Sequence, residues 1–203
     1  MTELIQELIS QGYLKTPAII KAFKKIKRRD FLPSDLVEEE SINAPLPIGH
    51  GQTISQPLTV AFMLELLVPA EGQKILDIGS GSGWTTALLA EIVGPSGQVF
   101  AIERVAALKE FGQTNVKKYQ FNNVEFFYQD GSKGLKEFSP FDRILVSAAA
   151  FEVPDELTSQ LTINGRLVIP TMAQDLRLIE RTEKNKYQQN IYPGFVFVPL
   201  IID

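Results

Sequence analysis

Residues 76–84 read Leu-Asp-Ile-Gly-Ser-Gly-Ser-Gly-Trp, a short apolar run that ends in an acid and three alternating glycines. Glycines at such a turn reach positive φ and let backbone N–H groups approach a ligand closely. A helix starting just beyond adds partial positive charge. The spacing is G-x-G-x-G, with Trp84 where the G-x-G-x-x-G turn of dinucleotide-binding proteins places its third glycine. Asp77 stands two residues before Gly79, where a carboxylate can receive an ammonium group but would repel a pyrophosphate. The pattern favours a methyl donor with an amino-acid head, held by Asp77, Gly79, Ser80, Gly81 and Gly83. Glu103 ends the next apolar run, about 20 residues on, where a carboxylate can accept both ribose hydroxyls. Asp130-Gly131 ends a third run and is placed to reach an adenine amino group. Each acid alone would be an ordinary solvated strand end. Three of them at successive strand tips, in this order, make coincidence a poor explanation.

What the chain lacks narrows the chemistry further. It has no cysteine, which excludes disulfides, thiolate metal sites and cysteine nucleophiles, and one histidine, His50. A Ser-His-Asp hydrolase or a multi-histidine metal site is hard to build from that stock, so no metal is expected. The net charge of −4 argues against a nucleic-acid partner. The basic run of residues 21–29 (KAFKKIKRR) is expected to be a solvated helix face. No stretch approaches the ~20 apolar residues of a membrane span, and the first residues do not read as a secretory signal. A soluble cytoplasmic protein without a membrane partner is the expectation.

These residues need elements to carry them. Apolar periodicity predicts helices over residues 2–12, 16–28 and 57–67, with residues 41–57 between them as an ordered loop. Strands then alternate with helices: strands 74–78, 98–102, 124–128 and 143–147, helices 85–93, 106–119 and 155–161. A strand over 166–169 follows the Asn164-Gly165 turn, and strands 176–181 and 195–200 close the sheet. Such alternation calls for α/β architecture, a doubly wound and mostly parallel sheet. Residues 1–56 would form N-terminal helices and a substrate loop packed on the main domain, 57–203, as one compact unit overall.

The order LDIGSGSGW, VFAIE, YQDGSKG resembles the class I, Rossmann-like S-adenosylmethionine-dependent methyltransferases. Residues 44–61 (APLPIGHGQTISQPLTVA) narrow this, because the stretch closely resembles the signature of protein-L-isoaspartate O-methyltransferases. Residues 141–149 and the tail FVPL at 197–200 match as well. The resemblance implies methyl transfer from S-adenosylmethionine, leaving S-adenosylhomocysteine, to the free carboxylate of L-isoaspartyl residues in damaged proteins and peptides. It maps the catalytic role onto Ser55 and substrate contacts onto Thr53, Ile54, Gln56 and Ala149. On pattern alone Ser55 reads as a helix N-cap just before Pro57; the two roles are compatible. Trp84 stands where the family commonly has tyrosine. His50 reads as a loop residue. Arg177 and Arg181 could attract an acidic peptide, although solvent exposure is the better explanation for them. A monomer is expected. The alternative reading keeps the methyl donor and changes the acceptor to another carboxylate or a small molecule.

Overall fold

The computed structural model describes residues 1–202. Two short helices, α1 (Thr2–Ser10) and α2 (Pro17–Lys25), open the chain. A hairpin follows, β1 (Leu46–Gly49) and β2 (Gln52–Ile54), and then α3 (Pro57–Leu67). The alternating part runs β3 (Lys74–Ile78), α4 (Trp84–Val93), β4 (Gln98–Glu103), α5 (Ala106–Lys117), β5 (Val124–Tyr128) and β6 (Phe141–Val146). It ends with α6 (Asp155–Ser159), β7 (Leu161–Thr171), β8 (Asp175–Glu183) and β9 (Lys186–Pro193). Among the described residues the main sheet has seven strands in the order β5-β4-β3-β6-β7-β8-β9. The first five are parallel, and β8 and β9 form an antiparallel meander on the edge of β7. Winding reverses between β3 and β6, so the crevice beyond their carboxyl ends is where a ligand belongs.

Strand alternation divides the core into two faces. Ile75, Val99, Leu145 and Val168 point to one face and join a cluster with residues of α1 to α5. Leu76, Ile78, Phe100, Ile102, Ile144 and Val146 point to the other and pack with Leu157 of α6, Phe141 and Leu135. The first cluster runs without a break from Leu4 in α1 through Phe23 in α2 to Trp84 in α4.

Five expectations change in detail. Residues 41–57 contain a β-hairpin as well as loop, because His50 and Gly51 take φ +54° and +70°. Positive φ at both central positions is what a two-residue hairpin turn needs. Helix α2 stops at Lys25, and Arg28 lies in a following 3-10 turn with none of its surface exposed. The basic run is thus solvated at its lysines but not at Arg28. Strand β7 begins at Leu161, so Asn164-Gly165 lies inside it, in an irregular stretch where the register with β6 jumps from Phe141↔Leu161 to Arg143↔Arg166. The last strand is β9, whose sequence KYQQNIYP is exposed nearly throughout and carries no burial signal. Residues 195–200 are not a sheet strand. Their apolar character comes from packing elsewhere, with Phe195 stacked on Phe62 at 5.2 Å and a single bridge from Pro199 to Ala149.

Candidate active site

A cavity of about 860 Å³, open mouth included, lies at the carboxyl ends of β3, β4 and β6. Gly79, Ser80, Gly81, Glu103 and Gly131 form one side of its wall, and Thr53, Ile54 and Ser55 form another. Ile48, Trp84, Val198 and Leu200 complete it with apolar surface. Residues far apart in sequence meet because the hairpin folds over the glycine turn, with Ile48 near Gly81.

The turn from β3 to α4 is built on backbone. The N–H groups of Gly79 and Ser80 both donate to the Ile102 carbonyl, at 2.9 and 3.0 Å. Gly83 sits at φ +85° as the residue preceding α4. A Cβ there would lie 2.7 Å from the Gly112 carbonyl oxygen, so glycine is required for α4 and α5 to approach. Glu103 accepts from the Gly81 N–H and the Val105 N–H, both at 2.9 Å, and each oxygen keeps acceptor capacity toward the cavity.

Asp77 stands apart from the cavity wall. Period-two alternation turns it to the same face as Ile75, toward α4. There its Oδ2 accepts from the Thr85 and Thr86 hydroxyls at 3.1 and 2.6 Å. Among the described residues its buried Oδ1 has no partner. Burial pushes its pKa up to about 6 against the pull of the two threonines, and the neighbouring Glu103 charge adds to the rise. Asp130 accepts from the N–H and hydroxyl of Ser132, both at 2.8 Å, and caps the short turn that carries Gly131. Gly83, Asp130, Gln56 and Ala149 also lie outside the lining.

Ser55 is placed by its neighbours and is not a cap. The residue preceding α3 is Gln56, and its side chain makes no capping bond. The Leu58 N–H is instead met from across the loop by Asn43 Oδ1 at 3.1 Å. Gln56 donates back to the Asn43 carbonyl at 3.0 Å. Ile54 is buried under the hairpin, and Thr53 is exposed at its rim. Ala149 gives both backbone groups to the tail, its N–H to Val198 O and its carbonyl to the Leu200 N–H, each at 2.7 Å. That strap holds residues 198–201 over the cavity.

Arg28 is the residue that the basic run concealed. Its Nη1 donates to the Ile42 carbonyl at 2.7 Å and, longer, to that of Glu40 at 3.5 Å. Nη2 donates to the carbonyls of Ala44 at 2.7 Å and Ser55 at 3.1 Å. Its guanidinium carbon lies 5.5 Å from the centre of the Trp84 ring. Burial pulls its pKa down to about 10, against the Glu40 charge, so it remains a cation at neutral pH. His50 is exposed at the hairpin turn, away from the cavity lining. Arg177 bonds Asp175, and Arg181 bonds the Ser159 and Leu161 carbonyls, so neither faces the site.

The family model described as Protein-L-isoaspartate(D-aspartate) O-methyltransferase (PCMT) matches residues 1–202. The chain belongs to that family. Its relatives include a protein-L-isoaspartate O-methyltransferase of Methanopyrus kandleri, 42% identical over 98% of this chain and 89% of that one. Another, of Methanothermobacter thermautotrophicus, is 40% identical over 98% of this chain and 93% of the relative. Among solved structures, a Plasmodium falciparum protein described as such an O-methyltransferase superposes with TM-score 0.88 at 26% identity, over 98% of this chain and 97% of that one. That protein was crystallised in complex with S-adenosyl-L-homocysteine.

The residues present fit the cofactor of the PCMT family. Ser80 Oγ and Trp84 Nε1 are buried at the cavity wall with no partner among the described residues. Buried polar atoms of this kind ordinarily have one, and a ligand bound in the cavity would be that partner. Glu103 offers acceptors for hydroxyls, and the positive-φ glycines leave room for close approach.

Proposed function

We propose that this PCMT family member carries the L-isoaspartyl carboxylate of damaged proteins and peptides to the methyl donor on the Ser55 hydroxyl. The activity is methyl transfer from S-adenosylmethionine to that free carboxylate, the first step of repair through a succinimide. One observation carries the site assignment: Thr53, Ile54 and Ser55 share a cavity with Gly79, Ser80, Gly81 and Glu103.

When bound, S-adenosylmethionine supplies a methyl group on a positively charged sulfur, already activated for transfer. The acceptor carboxylate, with an ordinary pKa near 4, is ionised at neutral pH. No general base is needed, which suits a chain with one exposed histidine. Ser55 donates to one carboxylate oxygen and leaves the other free to face the methyl group in line. Glu103 would hold the donor's hydroxyls, and the carbonyls of the Gly79–Gly81 turn, whose N–H groups already bond Ile102 and Glu103, would receive its ammonium group. Ile48, Ile54, Val198 and Leu200 keep water from the reacting atoms. Asp77, Gly83 and Asp130 shape the cofactor turns, and Gln56 and Ala149 hold the acceptor loop and the tail. After release, the following backbone nitrogen attacks the ester carbonyl, methanol leaves, and water opens the succinimide. The same reading takes the enzyme as a cytoplasmic monomer without a nucleic-acid or membrane partner. The net charge of −4 supports the absence of a phosphate-binding surface.

The test is a pair of peptides that differ only in isoaspartate against aspartate, with labelled S-adenosylmethionine. Label should enter the isoaspartyl peptide alone; equal labelling of both would overturn the reading. Ser55→Ala should lower kcat by about 100- to 1,000-fold, the range for losing one oriented donor. Affinity for S-adenosylhomocysteine by calorimetry should stay within about threefold, because cofactor contacts are untouched.

A further inference from the structure

We infer that Arg28 is a positioning residue for the transfer, fixing Ser55 relative to the cofactor turn; the inference rests on the role of Ser55 given above. The geometry of its guanidinium makes the case. Its four acceptors are all backbone carbonyls, three from residues 40–44 and one from Ser55. Those segments flank the β1–β2 hairpin on its two sides, and a single nitrogen, Nη2, takes both Ala44 and Ser55. The base of the hairpin is therefore pinched onto one planar group. With its carbonyl held, the Ser55 main chain is fixed relative to Ala44, which sets where its hydroxyl can reach in the cavity it lines.

The other end of the side chain is equally fixed. The turn that carries Arg28 is fastened to the end of α5: the Lys27 N–H donates to Tyr119 Oη at 2.8 Å, and that hydroxyl donates to Asp30 Oδ2 at 2.6 Å. Lys118 Nζ donates to the Asp30 carbonyl at 2.6 Å, and Phe31 stacks on Tyr119 at 5.8 Å. Helix α5 in turn holds the glycine turn, through Asn115 Nδ2 to the Ser82 carbonyl at 3.1 Å. The guanidinium also lies over Trp84, which lines the cavity. A continuous path of short contacts thus runs from the cofactor turn through α5, Tyr119 and Arg28 to Ser55.

A packing role alone accounts poorly for this choice of residue. Burying a cation is expensive even with the Glu40 charge nearby, and apolar replacements of buried ions are often neutral or stabilising. What a guanidinium adds over an apolar side chain is a rigid fork of donors with fixed directions. Here both Nη groups serve the acceptor loop, while the buried Nε–H has no partner among the described residues.

The test is a double-mutant cycle on Arg28→Lys and Ser55→Ala, with isoaspartyl peptide as acceptor, below the unfolding temperature of every variant. Lysine keeps the charge and loses the planar fork. Arg28→Lys should lower kcat at least about tenfold, as small misplacements at a reacting centre do. Calorimetric affinity for S-adenosylhomocysteine and peptide KM should each move by less than about threefold. In the Ser55→Ala background the same change should cost under about twofold, because the group being positioned is gone. Equal losses in both backgrounds, or an unchanged kcat in the single variant, would overturn the inference. If the lysine variant does not fold, Arg28→Gln enters the same cycle, since a neutral side chain carries no buried charge. Failure of both to fold would assign Arg28 to the core alone and also overturn it. A wild-type enzyme inactive on the isoaspartyl peptide would overturn the repair reading, and this inference with it; failure at Arg28 alone leaves wild-type transfer intact.

Discussion

Asp77 follows Leu76 on β3 and therefore faces α4, where two threonine hydroxyls meet one of its oxygens. Its raised pKa has a consequence for stability. Between about pH 4, the unfolded value, and about 6 the folded chain holds this proton more tightly than the unfolded chain. Folded-state proton excess makes stability fall as pH rises through that window and level off above it. Asp77→Asn removes the titration and keeps an acceptor for Thr86. It should be more stable than wild type above pH 6, by on the order of 1–3 kcal/mol, a two-unit shift being worth about that much. The difference should shrink toward pH 4. Urea midpoints across pH 4–8 for both proteins check this; parallel curves would place the cost elsewhere. In the sequence, Asp77 reads as a ligand because it precedes glycines. Its true neighbours follow from which face of the strand it occupies and from α4 packing there.

At the scale of elements, the tail shows the same separation of pattern from place. Residues 195–200 are apolar enough to suggest a strand, yet they make a strap, tied to Ala149 by two bonds of 2.7 Å. Val198, Pro199, Leu200 and Ile201 line the cavity from above. Ending the chain after Gly194 should weaken S-adenosylhomocysteine binding by at least about tenfold, since one apolar wall of the pocket goes with it. Circular dichroism should still report the sheet, because β9 pairs with β8 and not with the tail. Unchanged affinity would mean that the strap covers the cavity without contributing to it. The hairpin is the complementary case: its turn, His50-Gly51, lacks the usual Asn-Gly signature, so only the folded backbone reveals it.

For the whole molecule, the first hydrophobic cluster decides cooperativity. It joins α1, α2 and the hairpin to the sheet, and Phe23 meets Trp84 edge-on at 5.7 Å. Trp84 is the single tryptophan of the chain, so its fluorescence reports the contact of α2 with α4. We propose that residues 1–56 and the rest unfold as one unit. Tryptophan fluorescence and far-ultraviolet dichroism should then trace coincident denaturant transitions. An earlier fluorescence transition would reveal N-terminal helices that detach on their own.

The amino-acid sequence by itself determined the alternating α/β order, most element boundaries and the glycine turn after β3. These are readable because each rests on local spacing: period two for strands, about 3.6 for helices, glycines at fixed offsets for the turn. Tertiary structure alone decided which of the acids reach the cavity, that Ser55 is not a cap, and that a basic run hides a buried arginine. Those outcomes depend on the face a side chain presents and on partners dozens of residues away, neither of which a local pattern encodes. LDIGSGSGW is legible as a glycine turn; that Ser55 lines the same cavity is a fact of the fold.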